Sequence, residues 1–457
     1  MGNEDITSSS NHLQSSSVGS EVIKVEVHEK NKSIKWQLPP SKSHAIRALI
    51  LAAQADNVTI ISGIANCGND VNSMKNCLIQ LGVEIDYIDS NGNIIDKDDL
   101  ERHSKITSFR IHGVGKNGFS KPKESLNVGN SGTALRLIAV LCSRFHFTVE
   151  IDGDETLRMR DTSVIWNSIK QAGVEINFID VKDRLPVKLK GPWFNGPIEE
   201  IELDVSKSSQ PLSAWMLSSS GLDKKLEINR IGNSVSNRHW ELSYDMCNLY
   251  GSKIEIEAQK VKLFPCNLQL PEHIQIPKDA SMASFAMLAA SCLGYEIELI
   301  GWPKHIDSIG HEILEIEASR LGFYWNNNKI KFKGGGSSIE VDLTDCNDLI
   351  TPLSVMMAIG GGGEILGASH SSFKESNRIR STQLLLESFG MNCEINGNGI
   401  SIPGNQKPSK PTEIVESFGD HRIFMSAYIL ACKVGAKIRG FGLNMIADEF
   451  FTDRLSS

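Results

Sequence analysis

Several common signatures are missing from this sequence. Its nine cysteines, at 67, 77, 142, 247, 266, 292, 346, 393 and 432, include no CxxC pair. That excludes a zinc ribbon and a disulfide framework, and it points to reduced thiols in a cytoplasm. Positive charge is not in excess: 47 Lys and Arg stand against 55 Asp and Glu, a net charge of -8. A general nucleic-acid or anionic-membrane footprint is therefore excluded. Long apolar runs are also absent, since stretches such as 283–292 and 423–432 reach only about half of what a bilayer span requires. The first twenty residues carry no Lys or Arg and no apolar stretch, unlike a secretory signal or an Arg-rich transit peptide. We read residues 1–21 as a Ser-rich disordered tail.

Catalytic templates fail in the same way. Gly129-Asn130-Ser131-Gly132-Thr133 lacks the GKS or GKT ending of a P-loop, and no HExxH or GxSxG occurs.

What is present begins with bulk. A chain of 457 residues with 40% hydrophobic content has enough material for two or three domains. A short phrase recurs along it: a helix-like apolar run, then a glycine, then an alternating strand. The glycines are Gly82, Gly173, Gly251, Gly322 and Gly390, separated by 91, 78, 71 and 68 residues. Each stands where a helix end needs positive φ, and phrases such as Val83-Glu84-Ile85 and Val174-Glu175-Ile176 read as half-buried strands. The chain thus reads as tandem α/β units of 70 to 90 residues, with a sixth, partial unit ending in the tail Phe450–Leu455.

A second feature repeats with the first. Polar segments stand directly before apolar helices: Pro40 to Arg47, Gly129 to Arg136, Ser208-Ser209-Gln210-Pro211, Lys278-Asp279-Ala280-Ser281, Lys374 to Arg378, and Gly419-Asp420-His421-Arg422. These are helix starts, with Pro211 in the first turn and Asp279 and Asp420 as N-caps. A helix N-terminus offers unpaired N–H groups and positive dipole to anions. Several of these starts carry Lys or Arg within a turn, so an acidic chain has gathered its cations there. If the starts converge, they form a cavity for a multiply charged anion.

Leu38-Pro39-Pro40-Ser41-Lys42-Ser43 with Arg47, Asn130 to Arg136, Ser208-Ser209-Gln210, Lys374 to Arg378 and Asp420-His421-Arg422 occur in the order seen in 5-enolpyruvylshikimate-3-phosphate synthases, and from about Lys24 to Leu455 the chain resembles that family. The resemblance implies a two-domain inside-out α/β barrel of six βαβαββ-type repeats, three per domain. Residues 22–40 and 278–457 would form one domain and 41–277 the other, inserted at a hinge near Pro40 and Pro277. It implies transfer of the enolpyruvyl group of phosphoenolpyruvate to the 5-hydroxyl of shikimate 3-phosphate, with release of phosphate. No cofactor, metal, nucleic acid or membrane partner is implied, and the protein is expected to be a cytoplasmic monomer.

The same resemblance assigns roles. Lys42 lies between the two substrates, Ser43 and Arg47 hold the shikimate carboxylate, and Ser208, Ser209, Ser236 and Lys374 hold the 3-phosphate, with Gln210 near the shared space. Gly132 and Arg160 meet the phosphoenolpyruvate phosphate, while Arg378 and Arg422 clamp its carboxylate with planar guanidinium forks. Asp348 is the base toward the hydroxyl, and Glu375 is the acid and base at the vinyl carbon.

Two departures from the family pattern bear on the acceptor. Asp161 follows Arg160 where proline is usual, and a carboxylate there would weaken the phosphate site. Ile446 to Phe451 places Asp448 and Glu449 where a cation or neutral residue is expected. His239 and His370 stand where some members have Tyr and Asn. Two alternatives remain at this point: a transferase for another acceptor such as a nucleotide, and a non-catalytic binding homologue.

Overall fold

The computed structural model describes residues 20–65, 67–96, 106–194, 199–397 and 399–456; the serine-rich stretch up to residue 19 lies outside them. The described chain builds six small sheets. Their common plan is clearest at Glu200–Asp204, Leu226–Ile231, Lys260–Leu263 and Ile254–Ile256. The first two strands run parallel and are joined by the helix Gln210–Leu217. The helix Asn237–Leu249 then leads into an antiparallel hairpin that completes the sheet. This is a βαβαββ unit, in which each parallel pair requires a crossover helix to close it.

The five recurrent glycines explain why each unit turns where it does. Gly82, Gly173, Gly251, Gly322 and Gly390 have φ of 93°, 83°, 96°, 90° and 70°. At each, the next residue's N–H reaches back to a carbonyl five residues earlier, as from Val83 to Leu78 (3.0 Å) and from Met391 to Leu386 (2.9 Å). At Gly82, Gly173, Gly251 and Gly390 this closure satisfies orphan carbonyls of the helix just ended, while Gly322, six residues past the short helix Ile313–Ile316, closes a turn instead; each needs a left-handed residue, which glycine adopts without steric cost. A strand follows every time, from Glu84–Ile88 to Glu394–Asn396.

Two of the sheets are completed by strands distant in sequence. Ser33–Gln37 lies parallel to Glu296–Ile300, and His273–Gln275 lies parallel to Val58–Ser62. The sixth sheet has three strands, Val22–Val25, Ala436–Arg439 and Val415–Glu416, so its outer strand comes from the opposite end of the chain. The tail beyond it is a helix, Phe451–Ser456. Phe451 is fully buried against Trp36, Phe285 and Tyr428, a burial that contributes about 1.5–3 kcal/mol.

Apolar side chains separate into two cores. One draws on residues between Ala45 and Ile276, the other on Val25, Trp36, Leu38 and residues between Met282 and Leu455. Two chain passages run side by side between them, where Ser41 N–H donates to Pro277 O and Asp279 N–H to Pro39 O, both at 2.8 Å. Among the described residues, no helix is long and apolar enough to cross a membrane.

Candidate active site

Five of the six polar helix starts open onto one cleft between the two cores. Lys42, Ser43 and Arg47 come from the helix Lys42–Gln54, and Gly132, Thr133 and Arg136 from Gly132–Ser143. Ser208 to Pro211 open Gln210–Leu217, Lys374 and Glu375 precede Arg378–Ser388, and His421 opens His421–Val434. Arg160, Ser236 and Asp348 stand at its walls, so that all of the expected residues except Arg378 and Arg422 line it. The sixth start contributes from behind: Asp279 caps the turn Ala280–Met282, and Ser281 Oγ accepts a bond from Arg422 Nη2 at 3.1 Å.

Local sequence explains why the polar groups are free to face the cleft. Ser131 Oγ accepts from Ala134 N–H (3.2 Å), Asn377 Oδ1 from Arg380 N–H (3.3 Å) and Asp420 Oδ1 from Arg422 N–H (2.9 Å). These caps secure the first turns, and the remaining N–H groups point outward. Pro211 occupies the second helical position, where its missing N–H costs nothing.

On the first-core side, Arg136 Nη1 donates to Gln210 Oε1 (2.9 Å) and Gly132 O (2.8 Å), and Gln210 Nε2 donates to Thr133 Oγ1 (2.7 Å). A Cβ at Gly132 would stand 2.8 Å from Arg136 Nη1 and 3.4 Å from Arg160 Nη1. Glycine therefore keeps open the floor on which two guanidinium groups meet. Arg47 is fully buried and donates to Ser243 Oγ (2.7 Å), Ser43 O (2.9 Å) and His239 O (2.9 Å). Burial pulls Arg47 and Arg136 down to about 10, so both stay charged at neutral pH. Ser236 sits in the left-handed region at φ 53°, a strained conformation for a side-chain-bearing residue. Its N–H donates to Thr344 O (3.1 Å), and its hydroxyl accepts from Asn347 Nδ2 (3.3 Å), whose other contact is His370 Nε2 at 2.7 Å.

The second-core side carries Asp348 and Glu375. Arg378 is the centre of a buried network: Nη1 binds Asp348 Oδ1 (3.0 Å), Nη2 binds Glu375 Oε2 (2.7 Å) and Nε binds Asp420 Oδ2 (3.0 Å). Arg422 Nε lies 3.0 Å from the same Asp348 oxygen. Burial opposes the charge on Asp348, but Arg422, Arg378 and Lys374 outweigh it and hold its carboxyl well below the usual range. Burial likewise opposes Glu375, and Arg378 and Arg160 lead the cations that hold it well below. Lys374 is pulled below an ordinary lysine by burial, with Arg378 adding to the effect. Lys42 keeps its charge despite burial because Asp70, Glu375 and Asp348 raise it; its Nζ is 3.1 Å from Asp70 Oδ2.

These depressed carboxylates set an acid limit on stability. A folded-state pKa below the unfolded value contributes stability at pH above the unfolded value, and the contribution disappears as pH falls through the folded one. We expect the melting temperature to fall steeply below about pH 4, and Asp348→Asn to flatten that limb. An acid limb of the same slope in Asp348→Asn would show that this carboxylate does not carry it.

The arrangement differs from expectation at several points. Arg378 and Arg422 do not line the cleft; they stand behind Asp348 and Glu375. Asp161 is held by Lys207 (3.6 Å) and by Ser163 N–H (2.9 Å), so its charge is compensated beside Arg160. Asp448 does not line the cleft; it pairs with Arg454, Nη2 to Oδ1 at 2.8 Å. Sequence reasoning missed Asp70, Thr133, Arg136 and His421 as cleft residues. Arg136 stood in a motif already singled out, and its position four residues after Gly132 was the available signal. Asp70 follows Gly68 at a helix start outside the six. Among the described residues, no cluster of His, Cys, Asp or Glu offers a metal site.

Residues 29–446 match the family described as EPSP synthase (3-phosphoshikimate 1-carboxyvinyltransferase). The chain belongs to the EPSP synthase family. Its curated relatives include a 3-phosphoshikimate 1-carboxyvinyltransferase from Caldicellulosiruptor saccharolyticus, 30% identical over 434 residues that cover 90% of this chain and 93% of the relative. Another with the same name, from Caldivirga maquilingensis, is 29% identical and covers 88% and 90%. Among solved structures, an EPSP synthase from Acinetobacter baumannii superposes with a TM-score of 0.71 at 23% identity, covering 95% of this chain and 97% of that one, a likeness of fold. The protein is an enzyme of this EPSP synthase family, with the inside-out α/β architecture expected from its repeats.

Proposed function

We propose that the cleft binds phosphoenolpyruvate and shikimate 3-phosphate side by side and joins the enolpyruvyl group to the 5-hydroxyl, releasing phosphate. The observation that supports this most directly is the concentration of Lys42, Arg47, Arg136, Arg160, Lys207 and Lys374 around one cleft of a chain whose net charge is -8. Two phosphates and two carboxylates are what such a cradle would neutralise. In this reading Ser43 and Arg47 hold the shikimate carboxylate, and Ser208, Ser209, Ser236 and Lys374 hold its phosphate. Gly132 and Arg160 receive the phosphate of phosphoenolpyruvate, and Lys42 and Gln210 stand between the substrates.

Asp348 takes the hydroxyl proton as the new C–O bond forms. Glu375 delivers a proton to the vinyl carbon and takes it back as the C–O bond to phosphate breaks. A carboxylate held so strongly ionised is a poor acid, but the field that holds it comes from Arg378 and Arg160. Substrate anions paired with those guanidiniums would cancel that field and raise the carboxyl toward a working value. Arg378 now spends its donors on three carboxylates, so the substrate carboxylate would displace Asp348 and Glu375 from it. Arg422 Nη1 is buried without a hydrogen-bond partner, consistent with a carboxylate clamp.

We expect Arg422→Ala to raise the Michaelis constant for phosphoenolpyruvate by about ten- to a hundredfold, the loss of a charge-assisted bond of about 1.5–3 kcal/mol. Unchanged phosphoenolpyruvate kinetics would remove Arg422 from the site. The defining experiment measures phosphate release from phosphoenolpyruvate with shikimate 3-phosphate, with uridine nucleotides and with no acceptor. Release only with shikimate 3-phosphate is expected; release only with a nucleotide, or with none, would overturn the reading.

We read the chain as two domains, 22–40 with 278–457 and 41–277, a division supported by the two cores and the paired passage at Pro40 and Lys278. Nine free thiols and a site assembled within a single chain support a cytoplasmic monomer.

A further inference from the structure

A second cavity, of about 440 Å³, lies on the other side of the Lys42–Gln54 helix start, and it shares no residue with the main cleft. That volume suits a small organic ligand. One wall is the outer face of the helix Asn237–Leu249, with Leu242, Met246 and Leu249. The floor is the passage Ile274–Pro277, and the opposite wall, from the other core, is Ile306, Asp307 and Ile309. Leu249 and Ile306 are 74% and 72% exposed, so the mouth is apolar.

At the back stands His44, 6% exposed. Its Nδ1 lies 2.8 Å from Ser41 Oγ, while Nε2 is buried with no hydrogen-bond partner, 3.9 Å from Asp307 Oδ1. A buried polar nitrogen left unpaired costs free energy that a ligand can recover. The charges on the lining identify which ligand. Glu241, Asp245 and Asp307 face a single cation, Arg238, which is already shared between Glu241 (3.8 Å) and Glu312 (3.7 Å). Burial raises Glu241; Arg238 opposes the shift, but Asp345 and Asp245 add to it and the net direction is upward. Burial and Arg47 hold His44 down to about 3, so the imidazole is neutral.

We infer that this cavity is a binding site for an amphipathic primary amine, with the ammonium between Asp307 Oδ1 and His44 Nε2 and the apolar body between Leu242, Met246 and Ile306. A single ammonium can donate to both acceptors at that separation. Anionic ligands meet excess acid there, and a wholly apolar ligand leaves the imidazole unpaired. A seated amine touches the two helices whose first turns line the main cleft, and it connects them to the other core through Asp307.

The test is calorimetric titration of the full chain with phenethylamine, tryptamine and hexylamine, with 2-phenylethanol as the uncharged control. We expect one-to-one binding of an amine about ten- to a hundredfold tighter than the alcohol, the range of a charge-assisted bond. Asp307→Asn should abolish that margin, and Leu249→Lys at the exposed mouth should weaken every amine, both with wild-type melting and turnover. The proposal is overturned if no amine binds saturably at millimolar concentration, if neither substitution changes affinity, or if phosphoenolpyruvate displaces the amine by simple competition. Leu249→Lys keeps the test decisive if Asp307→Asn folds poorly.

Discussion

Glu375→Gln is expected to lower the turnover number by about a hundred- to ten-thousandfold, the usual contribution of a positioned acid or base, with both Michaelis constants little changed. Glutamine keeps the shape of the side chain and an oxygen for Arg378 Nη2, which now sits 2.7 Å from Glu375 Oε2. Arg378 also retains Asp348 and Asp420, so its position is secured without this partner. What disappears is the capacity to move a proton, which acts in the transition state and hardly at all in substrate binding. Steady-state kinetics varying each substrate separates the two effects. A normal turnover number in Glu375→Gln would sink the assigned role, and a selective rise in one Michaelis constant would make Glu375 a binding group.

Asp420→Ala is expected to cost about 3–5 kcal/mol of stability, the effect of breaking a buried ion pair by removing one partner. Asp420 is fully buried; its Oδ2 accepts from Arg378 Nε (3.0 Å) and Ser376 Oγ (3.2 Å), and its Oδ1 caps the helix His421–Val434. Alanine removes the cap and leaves a buried guanidinium with one fewer counter-charge. The check is the denaturant midpoint of Asp420→Ala against wild type, with Asp420→Asn alongside. Asparagine can still cap, so it should lose less. A loss under about 1 kcal/mol in the alanine variant, the size of an ordinary hydrogen bond, would mean that Asp348 and Glu375 alone compensate Arg378.

Both predictions concern one guanidinium, and the contrast explains how the second-core side works. Asp420 faces Arg378 from the protein interior and fixes it permanently. Asp348 and Glu375 face it from the cleft. In the proposed reading Arg378 is anchored at one end and exchangeable at the other, so that a substrate carboxylate would change the proton affinity of both acids at once.

The sequence by itself determined everything that depends on neighbours along the chain. Four of the five glycines at expected helix ends were legible because a left-handed residue after a helix excludes nearly every other side chain; Gly82, Gly173, Gly251 and Gly390 close their helices as expected, whereas Gly322 closes a turn beyond the short helix Ile313–Ile316. Helix starts were legible for the same reason: Ser131, Asp279, Asn377 and Asp420 bond to N–H groups two or three residues ahead, a geometry that short spacing dictates. The residue types lining the cleft followed, because cations at helix starts belong to the local pattern.

Only the tertiary structure decided which charges meet. Arg378 and Arg422 stand behind the acids, because Asp420 and Ser281 hold them from the interior. Asp161 is compensated by Lys207 from a segment 46 residues away, and Asp448 turns to Arg454, whose guanidinium lies over Trp36 at 5.5 Å. The sixth sheet takes Val22–Val25 from the far end of the chain. Such pairings depend on where a side chain points after packing, and Coulomb attraction acts across space without reference to sequence separation.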